Sequence, residues 1–217
     1  MAAAAAQTAQ DGTKSKAPQP VRNITDPDSR LMHCTLRGLV QAYNAQCRRT
    51  GDGVFLLPRT VQDVNDARQV TTAIADITAS QQVIAAGHAA GGRPGFWSAA
   101  GTVLFDPGYF SRENISAPGP DRLIGTGGTW KDTTPEHGPG CAHDDPRDQM
   151  ACHLATRQGA SLYRRRAPVS EGGFADLKQR TGLRRFAMRG IHKAQGELLL
   201  ACAAANIHLL YRRTRLA

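Results

Sequence analysis

"GTVLFDPGYFS", residues 101 to 111, is the stretch on which the architecture turns. A short apolar run, Val103 to Phe105, lies between Gly101 and the Pro107-Gly108 pair, so it reads as a buried strand ending at Asp106. A carboxylate at the end of such a strand projects toward the crevice where α/β sheets bind ligands. Taken alone, an Asp before Pro-Gly is better read as a cap for the turn that follows.

Working outward, residues 21–25 ("VRNIT") read as a short strand stopped by Pro27. Residues 38–46 ("GLVQAYNAQ") read as a second strand and residues 53–61 ("GVFLLPRTV") as a third, with Pro58 restricted to an edge or a bulge. Val70, Ala73, Ile74 and Ile77 recur at helical spacing, and Gly87 is placed to close that helix. Downstream, "RLIGT" (122–126) is one more strand inside a Gly/Pro-rich stretch. Helices are predicted from Pro146 with Asp145 as N-cap, around "GGFADLKQR", and through the long apolar segment from Ile191. Strands first and helices last give a single α/β or α+β domain over residues 21–217. Residues 1–20, rich in Ala, Gln, Lys, Ser and Pro, read as a disordered leader.

The 217 residues carry 27 Lys/Arg and 18 Asp/Glu, a net charge of +9. From Tyr163 onward there are 12 basic and 3 acidic residues, so this quarter of the chain holds the whole excess. Basicity gathered in one segment points to an anionic partner. A membrane is the weaker choice, because no apolar run approaches the ~20 residues of a spanning helix. The N-terminus makes a poor signal peptide. Five scattered cysteines, read as unpaired, suit the reducing cytoplasm. Cys141, His143, Cys152 and His153 lack a zinc-ligand spacing. "GTGGTW" (125–130) lacks the Lys-Ser/Thr ending of a phosphate loop.

The acids form the more informative set. Asp26 and Asp28 follow the first strand, Asp106 ends the buried one, and Glu171 is placed at a helix start. Each has an ordinary account as a turn or cap residue. Converging above a sheet, three carboxylates repel unless a cation is present. Their oxygens suit Mg²⁺ or Mn²⁺, and two such ions ~4 Å apart support phosphodiester chemistry. Lys178 lies seven residues after Glu171, on the same helical face.

With these residues in view, the chain resembles the DDE transposases of bacterial insertion sequences. "TDPDSRLM" (25–32), "AYNAQ" (42–46), "TVQDVNDARQV" (60–70), "VLFDPGYFSRENI" (103–115), "YRRRAPVSEGGFADLK" (163–178) and "LRRFAMRGIHKAQGELLLACAAANIHLL" (183–210) follow the family's order. The resemblance implies a ribonuclease-H-like mixed sheet flanked by helices, here with an incomplete or distorted early strand region. It implies two Mg²⁺ (or Mn²⁺) ions and cleavage and joining of insertion-sequence and target DNA. Asp106 and Glu171 would be the second and third catalytic and metal-binding acids; the first is Asp26 or Asp28, with Asp26 preferred. The family's Tyr-Arg-Glu-Lys signature falls on Tyr163, Arg166, Glu171 and Lys178. Tyr163, Arg164, Arg165, Arg166, Lys178, Arg184 and Arg185 would face DNA, and pairing of two copies is left open.

The departures bear on activity. The family carries a long region ahead of its first acid, so this chain reads as a shortened copy. Arg48 and Arg49 stand where the family has an apolar strand, a costly place for unpaired charge. Pro107 and Ser170 replace usual neighbours of the acids. Two readings result: an enzyme if the acidic site assembles, or a remnant that binds DNA without cleaving it.

Overall fold

The computed structural model describes residues 23–34, 38–91, 101–127 and 144–216. The fold is mixed α/β, built on three two-stranded sheets. β1 (Arg30–Cys34) pairs antiparallel with β2 (Gly38–Ala42), and β3 (Asn44–Arg49) pairs antiparallel with β4 (Phe55–Val61). β5 (Val103–Phe105) pairs parallel with β6 (Arg122–Ile124). The helices are α1 (Val70–Ala90), α2 (Arg112–Ser116), α3 (Pro146–Ala155), α4 (Arg157–Arg164), α5 (Arg166–Gln179) and α6 (Ile191–Leu216). Single 3₁₀ turns sit at Asp66–Arg68 and Pro107–Tyr109.

Several expectations hold. Pro58 occupies a bulge: Gln46 faces Arg59 and Arg48 faces Leu56, so Leu57 and Pro58 together oppose Cys47. There Leu57 takes a positive φ of 27°. Asp145 caps α3 by accepting the Arg147 N–H at 2.9 Å, with Pro146 at the first helical position. The strands at 103–105 and 122–124 form as read.

Other expectations are corrected. Residues 23–29 form a turn, and the first strand begins at Arg30. Residues 21 and 22 of the expected "VRNIT" strand, and the leader at 1–20, lie outside the described residues. The single strand expected over 38–46 breaks at Tyr43, because β2 belongs to one hairpin and β3 to another. Helix α1 runs through Gly87 and stops at Gly91, whose N–H bonds the Gly87 carbonyl at 3.1 Å. Glu171 sits inside α5, not at its start, since the helix begins at Arg166 with Pro168 in its first turn. Cys152 is disulfide-bonded, which corrects the reading of five unpaired thiols; Cys34, Cys47 and Cys202 are free.

Three apolar clusters position the rest. β6 alternates its side chains: Ile124 packs with Val70, Ala73, Ile74 and Phe105, whereas Leu123 packs with Met150, Leu154 and Tyr163. The β5–β6 pair is therefore covered by α1 on one face and by α3–α4 on the other. A separate core joins Phe55 of β4 to Leu177 of α5 and to Leu198, Ala201 and Cys202 of α6. Each fully buried Leu here contributes roughly 1.5–3 kcal/mol of transfer free energy. Gly173 lets α5 approach the sheet, because a Cβ there would lie 2.9 Å from Arg49 Cδ and 3.3 Å from Phe55 Cζ.

Helix α6 also covers the outer edge of β4. Asn206 accepts the Phe55 N–H at 2.8 Å and donates to the Phe55 carbonyl at 3.0 Å. Gln195 accepts the Thr60 N–H and donates to the Pro58 carbonyl at 2.7 Å. Two carboxamides thus replace the neighbouring strand that this edge lacks.

Candidate nucleic-acid interface and acidic residues

Asp26 and Asp28 face the start of α6. The Asp26 carboxylate accepts the Tyr43 hydroxyl at 2.6 and 2.7 Å and the Gly190 N–H at 3.2 Å. Asp28 accepts the Ile191 N–H at 3.0 Å. Two carboxylates at the positive end of a 26-residue helix satisfy donors that the helix leaves free. Asp26 is 8% exposed, so this arrangement is internal. Burial, then the bond to Asp26, pushes the Tyr43 hydroxyl pKa up to about 12. The "TDPD" turn therefore acts in the fold as a clamp on α6, a role with no local signal in the sequence because its partners lie some 160 residues away.

Asp106 ends β5 in extended conformation, and its side chain does not cap the 3₁₀ turn after it. It pairs instead with Arg166 at 2.9 Å, with the carboxylate 56% exposed. Glu171 and Lys178 are both exposed on α5, seven residues apart. The structure thus links Asp106 to the helix that carries Glu171, through Arg166, and ties Asp26 to α6. Among the described residues, no group of three or more His, Cys, Asp or Glu side chains could hold a metal ion. Two of the three candidate acids are thus already engaged, Asp26 by Tyr43 and Gly190 and Asp106 by Arg166.

Tyr163 is corrected as a DNA contact. It is 4% exposed and packs with Leu123, Met150 and Leu154, and its hydroxyl donates to the Phe105 carbonyl at 3.1 Å. Burial raises its pKa. A Cβ on Gly125 would run into that hydroxyl, so the glycine is where the chain passes beneath the ring. Arg164, Arg165, Lys178, Arg184 and Arg185 are exposed, and Arg166 is half-buried beneath its bond to Asp106. Arg189 and Lys193, exposed ahead of and within the first turn of α6, extend the same run.

Arg48 and Arg49 leave β3 in place because both are paired. Arg48, 9% exposed, bonds Asp76 of α1 at 3.0 Å, and Asp76 also holds Arg59 at 2.6 Å. Arg49 bonds Asp176 at 3.1 Å and the Gly53 and Val169 carbonyls at 2.9 and 3.0 Å. Burial lowers the Arg48 pKa, and the Asp76 charge opposes that shift. Sequence reasoning had no means of matching these arginines with Asp76 and Asp176, which stand 28 and 127 residues away.

Residues 140–211, from ahead of α3 into α6, match the family model of the transposase DDE domain. No curated protein and no solved structure matches the chain. The resemblance to DDE transposases therefore holds over the basic third of the molecule. Among the described residues, no helix is long and apolar enough to cross a membrane.

Proposed function

We infer that this chain, similar over residues 140–211 to a transposase DDE domain, serves DNA transposition chiefly by binding DNA. The observation that carries this reading is the exposed basic run on α4, α5 and the turn into α6. Arg164, Arg165, Lys178, Arg184 and Arg185 are all exposed there, in the quarter of the chain that holds the whole net charge of +9. Guanidinium and ammonium groups on neighbouring helical surfaces bind phosphates as forks and point charges, without reading bases. The DDE-type unit proposed here covers residues 21–217 with a ribonuclease-H-like sheet, of which the parallel β5–β6 pair would be part.

A second reading adds strand cleavage and transfer. It is favoured by the position of Asp106, an exposed carboxylate at the C-terminal end of a parallel strand, bonded to the helix that bears Glu171. Transposase DDE domains in general use divalent metals, and on this reading Asp26, Asp106 and Glu171 would be the acids concerned. It requires Asp26 to leave Tyr43 and Gly190, which is why DNA binding without an assembled acidic site stands first.

One experiment separates the two. Fluorescence anisotropy on labelled duplex, titrated with salt, should show binding whose log K falls with log[salt]. Arg184→Ala with Arg185→Ala should flatten that slope by about 1.8, at roughly 0.9 for each phosphate no longer neutralised. Binding that ignores salt, or a slope unchanged in the double variant, refutes the interface. Incubation of the same duplex with Mg²⁺ or Mn²⁺ should leave it intact. Metal-dependent cutting that Asp106→Ala and Glu171→Ala each abolish would install the enzymatic reading.

A further inference from the structure

Strand β3 sends alternate side chains to opposite sides. Gln46 and Arg48 are buried on one side, where Arg48 meets Asp76 of α1. Ala45 and Cys47 point the other way and pack against the core of Phe55, Leu177, Leu198, Ala201 and Cys202. Cys47 of β3 and Cys202 of α6 therefore come together from distant parts of the chain, close enough for their thiols to interact. Neither is in a disulfide.

The two thiols differ in access. Cys202 is 2% exposed. Cys47 is half-buried and lines a cleft of about 850 Å³, together with Arg48, Arg49, Arg165 and Arg166. A small solute in that cleft meets Cys47 and not Cys202. The thiolate is the reactive form of cysteine, and cationic surroundings favour it. Contact with the Cys202 thiol holds the Cys47 pKa below its ordinary value, against the effect of burial and with help from the Arg48 charge. Contact with Cys47, then burial, pushes the Cys202 thiol up. One member of the pair is thus disposed to attack and the other to follow.

We propose that Cys47 and Cys202 form a dithiol site that hydrogen peroxide converts to a disulfide between β3 and α6. The Cys47 thiolate attacks one peroxide oxygen. An S–O bond forms, the O–O bond breaks, and hydroxide leaves, taking a proton from solvent to become water. The Cys202 thiol then attacks the sulfur of the Cys47 sulfenic acid. The S–S bond forms, the S–O bond breaks, and the hydroxyl departs as water with the Cys202 proton. The two thiols together lose one electron pair, which the peroxide gains. A thiol reductant reverses the bond by exchange. Cys47 supplies access and Cys202 supplies the enclosed partner, so the product is intramolecular. The proposal is independent of DNA binding or cleavage.

Peptide mapping on the full chain tests it. The folded protein is treated with hydrogen peroxide, then digested with trypsin without reduction. The expected product joins peptide 38–48, which holds Cys47, to peptide 194–212, which holds Cys202, and it disappears on reduction. The same treatment in denaturing urea should give at least about tenfold less of it, since only the fold holds the two thiols together. Cys202→Ser should leave a sulfenic acid on Cys47 that dimedone traps, whereas Cys47→Ser should give no adduct at Cys202. Absence of the joined peptide from the unaltered folded chain overturns the proposal, as does a yield that urea leaves unchanged. A dimedone adduct at Cys202 in Cys47→Ser overturns the order of attack. Should either serine variant unfold, the unaltered chain with and without urea decides the matter.

Discussion

Asp76 is 2% exposed and holds two arginines, one of them buried. Asp76→Ala would leave Arg48 with its charge enclosed between α1 and the β3–β4 hairpin and no counterion. Breaking one side of a buried pair costs about 3–5 kcal/mol, mostly the penalty for the stranded charge. Arg59 adds little to this, since its side chain is 51% exposed and returns to water. With a urea m-value of about 2 kcal/mol per molar, the unfolding midpoint should fall by about 1.5–2.5 M. The same reasoning makes a sharper demand on a double variant. Arg48→Met with Asp76→Leu removes both charges and keeps most of the volume, so it should recover most of the lost stability. Circular dichroism at the helical minimum, followed through urea titration, measures both. A single variant that costs less than about 1 kcal/mol, or a double variant as weak as the single, would refute the stranded-charge account.

Two further outcomes follow from the clamp on α6. Asp26→Ala should destabilise the fold by about 1–3 kcal/mol in denaturant titration, because it removes a helix-start acceptor and strands the Tyr43 hydroxyl; a change within a few tenths would mean the clamp is idle. The Tyr43 pKa is raised to about 12, so the neutral phenol is favoured by folding and its contribution is complete below the ordinary tyrosine value of about 10. Stability should fall as pH climbs from there through about 12, less steeply in Tyr43→Phe, with pH-dependent urea midpoints as the measure.

Local rules served well where structure is set locally. Asp145-Pro146 announces a helix start by cap and fixed φ, and α3 begins there. The bulge forced by Pro58, the strand ending at Asp106 and the long α6 were legible for similar reasons. The errors lie where distant partners decide. Nothing near Tyr43 says that the chain changes hairpins there; Asp26, 17 residues upstream, and Gly190, 147 residues downstream, hold its hydroxyl. Gly87 looked like a helix end because glycine often is one, yet α1 continues through it to Gly91. Of the candidate site, the exposed basic residues were readable from charge alone, as Tyr163 was not: its membership of a signature said nothing about the core that encloses it. Whether three acids converge depends on where each carboxylate finds donors, and the donors for Asp26 come from the far end of the chain.

The two carboxamides that bind α6 to β4 set a length rule. From Gln195 to Asn206 the helix advances about 16.5 Å at 1.5 Å per residue and makes close to three whole turns. From Thr60 back to Phe55 the strand covers at most about 16.5 Å at 3.3 Å per residue, shortened by the bulge at Leu57 and Pro58. Helix and strand match like the marks of two rulers that coincide at both ends. Substitutions between the marks leave the coincidence alone, whereas a single inserted residue swings one amide about 100° off the strand. Over that interval the exposed positions of α6 can change, while Leu198, Ala201 and Cys202 are held by the core and the length is held by the two carboxamides.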